Sequence, residues 1–138
     1  AKLIYTIKNT LIKEGYSDFF VNARTDTYLS LENPLEETLS RAILYESSGA
    51  DGIFIPGLTD SEEIRQVVDG VNIPVNCMMI PGCDINQMKN AGVRRISFGN
   101  ALSDSVLSYM EKISKSILTQ HDVKLLFDHE EVKTKFKD

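Results

Sequence analysis

The chain is poor in the residues that staple or metallate small domains, with two cysteines and two histidines in 138 residues. Cys77 and Cys83 form neither a disulfide framework nor a Cys-x-x-Cys pair, and a reducing cytoplasm is the compartment expected of such usage. His121 and His129 make no His-x-x-x-His pair and no metal box, so both read as surface residues. No apolar run approaches the roughly 18 residues that span a bilayer. The residues Ala1-Lys2-Leu3-Ile4-Tyr5 have no signal-peptide architecture. Positive charge is also scarce: 15 Lys and Arg stand against 20 Asp and Glu, a net charge of -5. No basic cluster reaches the density that phosphate neutralisation demands, so neither a nucleic-acid nor a membrane partner is expected. There is no Gly-x-Ser-x-Gly elbow, no Walker pattern, and no cluster of strand-end carboxylates able to hold Mg2+ by itself.

What is present is ordinary globular composition, 42% hydrophobic and 25% charged, without low-complexity segments or linkers. The length suits one structural unit with a real core. Apolar runs alternate with helical patterns. Leu3, Ile4, Ile7, Leu11 and Ile12 recur at helical spacing before Gly15, and Phe19 to Ala23 reads as a strand buried on both faces. Asn33 as cap, Pro34 at the first helical position and Glu36 announce a helix whose inner stripe is Leu35, Leu39, Ala42, Ile43 and Tyr45. Gly52 to Ile55 is the second strand. Asp60 caps the next helix, with Ile64, Val67 and Val68 on one face. Ile73 to Met79 is the third strand and Asp84 caps a short helix. Val93 to Phe98 is the fourth strand. A long helix from about Ala101 to Leu118 follows, with Val106, Leu107, Met110, Ile113 and Ile117 inward. In the tail from His121 to Asp138, Val123, Leu125, Leu126 and Phe127 are the docking candidates, and the lysine-rich end is expected to fray.

Strands alternating with helices across short loops predict right-handed parallel crossovers. A complete (β/α)8 barrel takes about 250 residues. The expectation is therefore an α/β fold: a parallel (β/α)4 half of a TIM-type barrel, with a leading helix and a helical C-terminal tail. Residues 1–118 would form the half-barrel and residues 119–138 the tail, a candidate oligomer contact.

Arg24, in Asn22-Ala23-Arg24-Thr25-Asp26, falls at the carboxyl end of the first strand, where parallel barrels place their active sites. Its planar fork suits bidentate capture of a carboxylate or phosphonate; a structural ion pair with Asp26 accounts for it about as well. Gly57, in the turn Pro56-Gly57-Leu58-Thr59-Asp60, lets a ligand approach the backbone closely, or simply makes the turn before a capped helix. Asn76 offers a barrel-interior amide for substrate, or a satisfied core amide. Ser97-Phe98-Gly99-Asn100 before a helix is a weak anion signal, on which rests a third reading as half of a phosphate- or flavin-binding barrel. Arg94 and Arg95 open their strand at the opposite end and read as structural. Cys77 and Cys83 are candidate thiols near a strand end, with buried, unreactive cysteines the simpler reading.

Several blocks then fall into one series: Phe20-Val21-Asn22-Ala23-Arg24-Thr25-Asp26, Leu35-Glu36-Glu37 with Arg41-Ala42, and Gly49-Ala50-Asp51-Gly52-Ile53-Phe54-Ile55-Pro56-Gly57. Pro74-Val75-Asn76 and Gly92-Val93-Arg94-Arg95-Ile96-Ser97-Phe98-Gly99 continue it. The series resembles the carboxyl-terminal half of the isocitrate lyase/phosphoenolpyruvate mutase superfamily, especially its short carboxyvinyl-carboxyphosphonate phosphorylmutase-like and methylisocitrate-lyase-like members. The resemblance implies Mg2+ at the barrel's strand ends and cleavage or rearrangement of C–C or P–C bonds in small 2-oxo or 2-hydroxy carboxylates, through an enolate. It gives Arg24 the substrate carboxylate or phosphonate. Pro56 departs from the pattern, standing where methylisocitrate lyases carry a glutamate and phosphonate mutases a histidine. The family's metal-binding aspartates and mobile lid belong to the other half, so this chain alone is expected to be inactive. The partners implied are the missing amino-terminal half or a second copy, and a homo-oligomer. The competing reading is a non-catalytic half-barrel that self-associates or pairs with another chain.

Overall fold

The structure of the protein, a computed structural model, describes residues 1–129. They fall into two compact units, the first Ala1–Gly99 and the second starting at Asn100.

The first unit runs α1 (Lys2–Lys13), β1 (Asn22–Arg24), α2 (Thr27–Ser30), α3 (Leu35–Ser47), β2 (Gly52–Ile55), α4 (Ser61–Asp69), β3 (Val75–Met78), α5 (Ile85–Asn90) and β4 (Arg95–Ser97). The four strands make one parallel sheet in the order β1-β2-β3-β4, each reached from the last through helix, as the alternating pattern predicts. The local signals for α4 and α5 act as read. Asp60 Oδ1 accepts from the Glu62 and Glu63 amides at 3.0 and 2.9 Å, and Asp84 Oδ1 accepts from the Gln87 amide at 2.9 Å. Each satisfies amides that lack an intrahelical partner.

Side chains alternate across a strand. Ala23, Ile53, Ile55, Val75 and Cys77 point to one face, where the helices bury them. Ala42 of α3, Ile64 and Val67 of α4, and Met88 of α5 complete that core. Within this unit the opposite face has no helix layer.

Several expectations are corrected. Phe19 and Phe20 are exposed, and β1 begins only at Asn22, so the apolar run before it is not a doubly buried strand. The Phe20 ring lies over Gly52, where a Cβ would meet its Cζ at 2.9 Å. The cap position of α3 is Pro34, and Asn33 makes no capping bond. Thr38 lies inside instead: its hydroxyl donates to the Pro34 carbonyl at 2.7 Å and pairs with Thr27 at 2.5 Å. That pair seats α2, a helix the sequence did not announce. Ile43 is exposed, whereas Ala42 is in the core and Leu35, Leu39 and Tyr45 pack against it, so the expected α3 stripe holds except at Ile43 and gains Thr38.

One ion pair fastens α1 to the sheet. Lys8 Nζ lies 2.8 Å from Asp51 Oδ2 and donates to the Phe19 carbonyl at 3.1 Å, while Asp51 also accepts the Val21 amide at 2.7 Å. Burial raises the Asp51 carboxyl, but the bonds from Lys8 and Val21 and the Lys8 charge outweigh it, so its pKa falls below the ordinary value. Asp51→Ala is expected to cost about 2 kcal/mol at neutral pH, since it removes charge-assisted bonds and leaves Lys8 only the Phe19 carbonyl. A carboxyl with a depressed folded pKa contributes stability that is present above its unfolded value, near 4, and lost as pH falls through the folded one. Urea midpoints of wild type and Asp51→Ala should therefore converge below about pH 4.

The second unit contains α6 (Ala101–Lys115), a π-helical turn over Ser116–Gln120, and α7 (Lys124–Phe127). Val106, Leu107 and Met110 are exposed, against expectation, whereas Ile113 and Ile117 are half-buried. Tyr109 Oη donates to the Leu125 carbonyl at 3.2 Å. Leu125 is half-buried, while Val123, Leu126 and Phe127 are exposed. The lysine-rich end lies outside the described residues. No helix among the described residues is long and apolar enough to cross a membrane.

Candidate functional site

Within the first unit, the sheet face opposite the packed helices carries the polar strand residues. Parallel register aligns Arg24 with Phe54, Phe54 with Asn76, and Asn76 with Arg95, so the four form one row across the strands. Arg24 and Asn76 are two strands apart, about 10 Å at the usual strand spacing. A small carboxylate gripped by a long arginine side chain spans that distance. Two of the three residues singled out from sequence thus share a row.

Arg24 ends β1, and the Thr25 amide still bonds the Phe54 carbonyl at 3.0 Å, which fixes the backbone beneath it. Its Nε donates to Asp26 Oδ1 at 2.6 Å, and its guanidinium carbon sits 5.5 Å from the centre of the Phe54 ring. The ion pair considered from sequence therefore exists. Both side chains are 54% exposed, so the pair adds at most about 1 kcal/mol of stability. It uses only the Nε edge. The two Nη groups make no hydrogen bond among the described residues, which leaves the end of the fork for an anion.

Asn76 is 2% exposed and its Oδ1 is buried without a partner among the described residues. A buried carbonyl in that state is costly unless something donates to it. Thr25 Oγ1 is buried in the same condition.

Gly57 sits elsewhere, in the turn between β2 and α4. Its φ is +88°, and an added Cβ would meet Leu29 Cδ2 at 3.0 Å and Tyr28 Cβ at 3.2 Å. The glycine thus lets α2 pack closely on the turn. Burial, then the nearby Glu63 carboxylate, pushes the Tyr28 hydroxyl above its usual range. Pro56, beside it, is fully buried.

Phe54 and Arg95 belong to the row and were not singled out as site residues. Strand alternation in the sequence gives only their faces, Arg95 with Ser97 and Phe54 opposite Ile53 and Ile55; the register that joins them to Arg24 and Asn76 comes from the assembled sheet.

Cys77 lies on the helix-packed face, and burial, with a smaller contribution from Cys83, pushes its thiol up to about 12. Cys83, by contrast, is only half-buried, against the expectation of a buried cysteine, and lines a cavity of about 300 Å³ with Asp60 and Gln87. Native protein at pH 8 should therefore take one equivalent of iodoacetamide, at Cys83, and a second only in denaturant. Intact mass before and after unfolding checks this.

Among the described residues no group of three or more His, Cys, Asp or Glu could hold a metal ion. The residues present do not fit Mg2+.

A parallel sheet whose successive strands are joined through helices packed on one face, with the row Arg24-Phe54-Asn76-Arg95 on the other, is an α/β scaffold of the barrel type. The chain belongs to the phosphoenolpyruvate phosphomutase family, whose match covers residues 1–118. It is 37% identical to an uncharacterized protein of Mycobacterium tuberculosis over 67% of this chain and 36% of that one. It is 29% identical to the 2-methylisocitrate lyase of Aeropyrum pernix over 88% of this chain and 40% of that enzyme. The crystal structure of 2,3-dimethylmalate lyase, of the PEP mutase/isocitrate lyase superfamily, superposes with a TM-score of 0.75 at 26% identity, over 94% of this chain and 46% of that one. The fold is thus part of the TIM barrel of that superfamily, and the chain spans less than half the length of these relatives.

Proposed function

We propose that this chain is the substrate-gripping half of a lyase or phosphonomutase-like enzyme that cleaves or rearranges C–C or P–C bonds in small 2-oxo or 2-hydroxy carboxylates. The observation that carries the reading is Arg24: it ends a strand on the face opposite the first unit's helices, stacked on Phe54 and braced by Asp26, with no hydrogen bond to its Nη groups among the described residues. The Nη pair takes the substrate carboxylate or phosphonate. Asn76, on the same row, contacts the other end of the molecule, and Gly57 keeps the turn beyond β2 close. Fixing the carboxylate holds the scissile bond in one orientation, and the guanidinium charge favours the transition state as negative charge builds on the adjoining enolate.

Family membership and the names of the relatives support this class of reaction. Mg2+ is part of the reading by resemblance, with its ligands supplied from outside this chain. Turnover therefore requires the remainder of the barrel, and the 138-residue chain alone is inactive. The test is an assay of the complete polypeptide against 2-hydroxy and 2-oxo dicarboxylates and phosphonopyruvate, with Mg2+ and after chelation, following release of 2-oxo acid. No turnover of any of them by the complete, folded protein would sink the proposal.

A further inference from the structure

The second unit has a cavity of its own, of about 430 Å³, along one side of α6 and the π-helical turn. Ser108, Lys112, Ser116 and Gln120 line it, and their four-residue spacing sets them in one stripe. His121, at φ +53°, ends the turn. Leu125 of α7 then forms the other wall, with the Tyr109 hydroxyl fastened to its carbonyl. Other hydroxyls of this helical stretch, on Ser105, Ser114 and Thr119, donate to the carbonyl four residues earlier at 2.7 to 2.9 Å. Those of Ser108 and Ser116 do not. Neither they, the Gln120 amide nor the Lys112 ammonium has a side-chain hydrogen bond or ion pair among the described residues. Ser116 is only 8% exposed, so it brings the cavity an unpartnered hydroxyl on a side chain more than nine-tenths buried. Such a donor gains when something in the cavity accepts from it.

We infer that this cavity is a binding site for a small phosphate monoester, with the phosphate on Lys112, Ser108 and Ser116 and the organic group toward Leu125. The charge has the right sign. Glu111 also lines the cavity, but Lys115 Nζ holds its carboxylate at 2.6 Å, so the Lys112 ammonium is the charge left over. The donors have the right form as well. An ammonium and two separate hydroxyls reach the three terminal oxygens of a tetrahedral group, where a planar carboxylate offers two. The volume lies within the range of small-molecule sites, about 300–1,000 Å³, and leaves room for more than a bare ion. The site is separate from Arg24 and its row, and the inference does not depend on the reaction proposed above.

Calorimetric titration of the full chain with glycerol phosphate and with inorganic phosphate tests it. Glycerol phosphate is expected to bind more tightly, because only the ester reaches Leu125. Ser116→Ala and Lys112→Ala should each weaken its binding at least about ten-fold, since each removes a hydrogen bond to a charged group. Lys124→Ala, which removes a lysine outside this cavity, should leave it unchanged. No saturable binding at millimolar ligand overturns the inference. So does inorganic phosphate binding as tightly as its ester, full affinity in Ser116→Ala, or an equal loss in Lys124→Ala, which would mark diffuse attraction to surface charge. Should Ser116→Ala lose its folded circular-dichroism spectrum, Ser108→Ala replaces it under the same ten-fold criterion.

Discussion

Ile53→Ala is expected to lower the unfolding free energy by about 4 kcal/mol, enough to leave much of the chain unfolded at 37 °C. Ile53 is 0% exposed in β2, with Ala23 and Val75 beside it in register and the helix layer above. The truncation forfeits the transfer energy of the lost carbons and leaves a cavity whose walls cannot close. The backbone on both sides is held by ladder bonds, including the Ile53 amide to the Pro74 carbonyl at 3.0 Å. Within the unit, the opposite sheet face has no helix layer to compensate, so this core carries most of the apolar burial. Ile53→Val, which deletes one carbon, should cost about 1 kcal/mol. Ile43→Ala on α3, where the side chain is 53% exposed, should cost no more than about 0.5 kcal/mol. Urea denaturation of the three variants gives the ranking. A cost at Ile43 equal to that at Ile53 would show that Ile43 is buried with the rest of the stripe, against its place on the exposed side of α3.

That contrast shows what the sequence makes legible. Signals contained within a few residues come through: the Asp60 and Asp84 caps, the glycine after α3, and the β2 strand from Gly52 to Ile55. Each depends on the chain's own backbone. Periodicity also names the apolar side of an element, but not what covers it. Val106, Leu107 and Met110 are at helical spacing, yet they are exposed, because a stripe buries only where another element meets it. Phe19 and Phe20 mislead for the same reason. Of the α3 stripe, Ala42 is in the core and Leu35, Leu39 and Tyr45 pack against it; only Ile43 stands outside, and Thr38, paired with Thr27, takes an inner place that its polarity does not announce. That pair joins two elements, one of which has no cap or period of its own. At the site, Arg24 is legible from its place at a strand end. Its row is not, because register between strands is long-range information: Phe54 and Arg95 join Arg24 and Asn76 only once the sheet is assembled.

Under the proposed function, Arg24→Ala in the complete polypeptide is expected to lower kcat/KM by about 100- to 10,000-fold. A bidentate grip on a carboxylate makes two charge-assisted hydrogen bonds of about 1.5–3 kcal/mol each, and about 1.4 kcal/mol is a factor of ten in rate. Arg24→Lys keeps the charge but not the fork, so it should recover only part of the loss, and the Asp26 brace would hold the ammonium on the wrong side. Stability separates this role from a structural one. The Arg24–Asp26 pair is half exposed, so Arg24→Ala should move the unfolding free energy by no more than about 1 kcal/mol. Asp26→Asn frees the guanidinium to wander; it should raise KM while the purified protein keeps its urea midpoint. If Arg24→Ala instead unfolded the protein, or left kcat/KM unchanged on the true substrate, the arginine would be a strut at the end of β1 and the anion would have to be held elsewhere in the barrel.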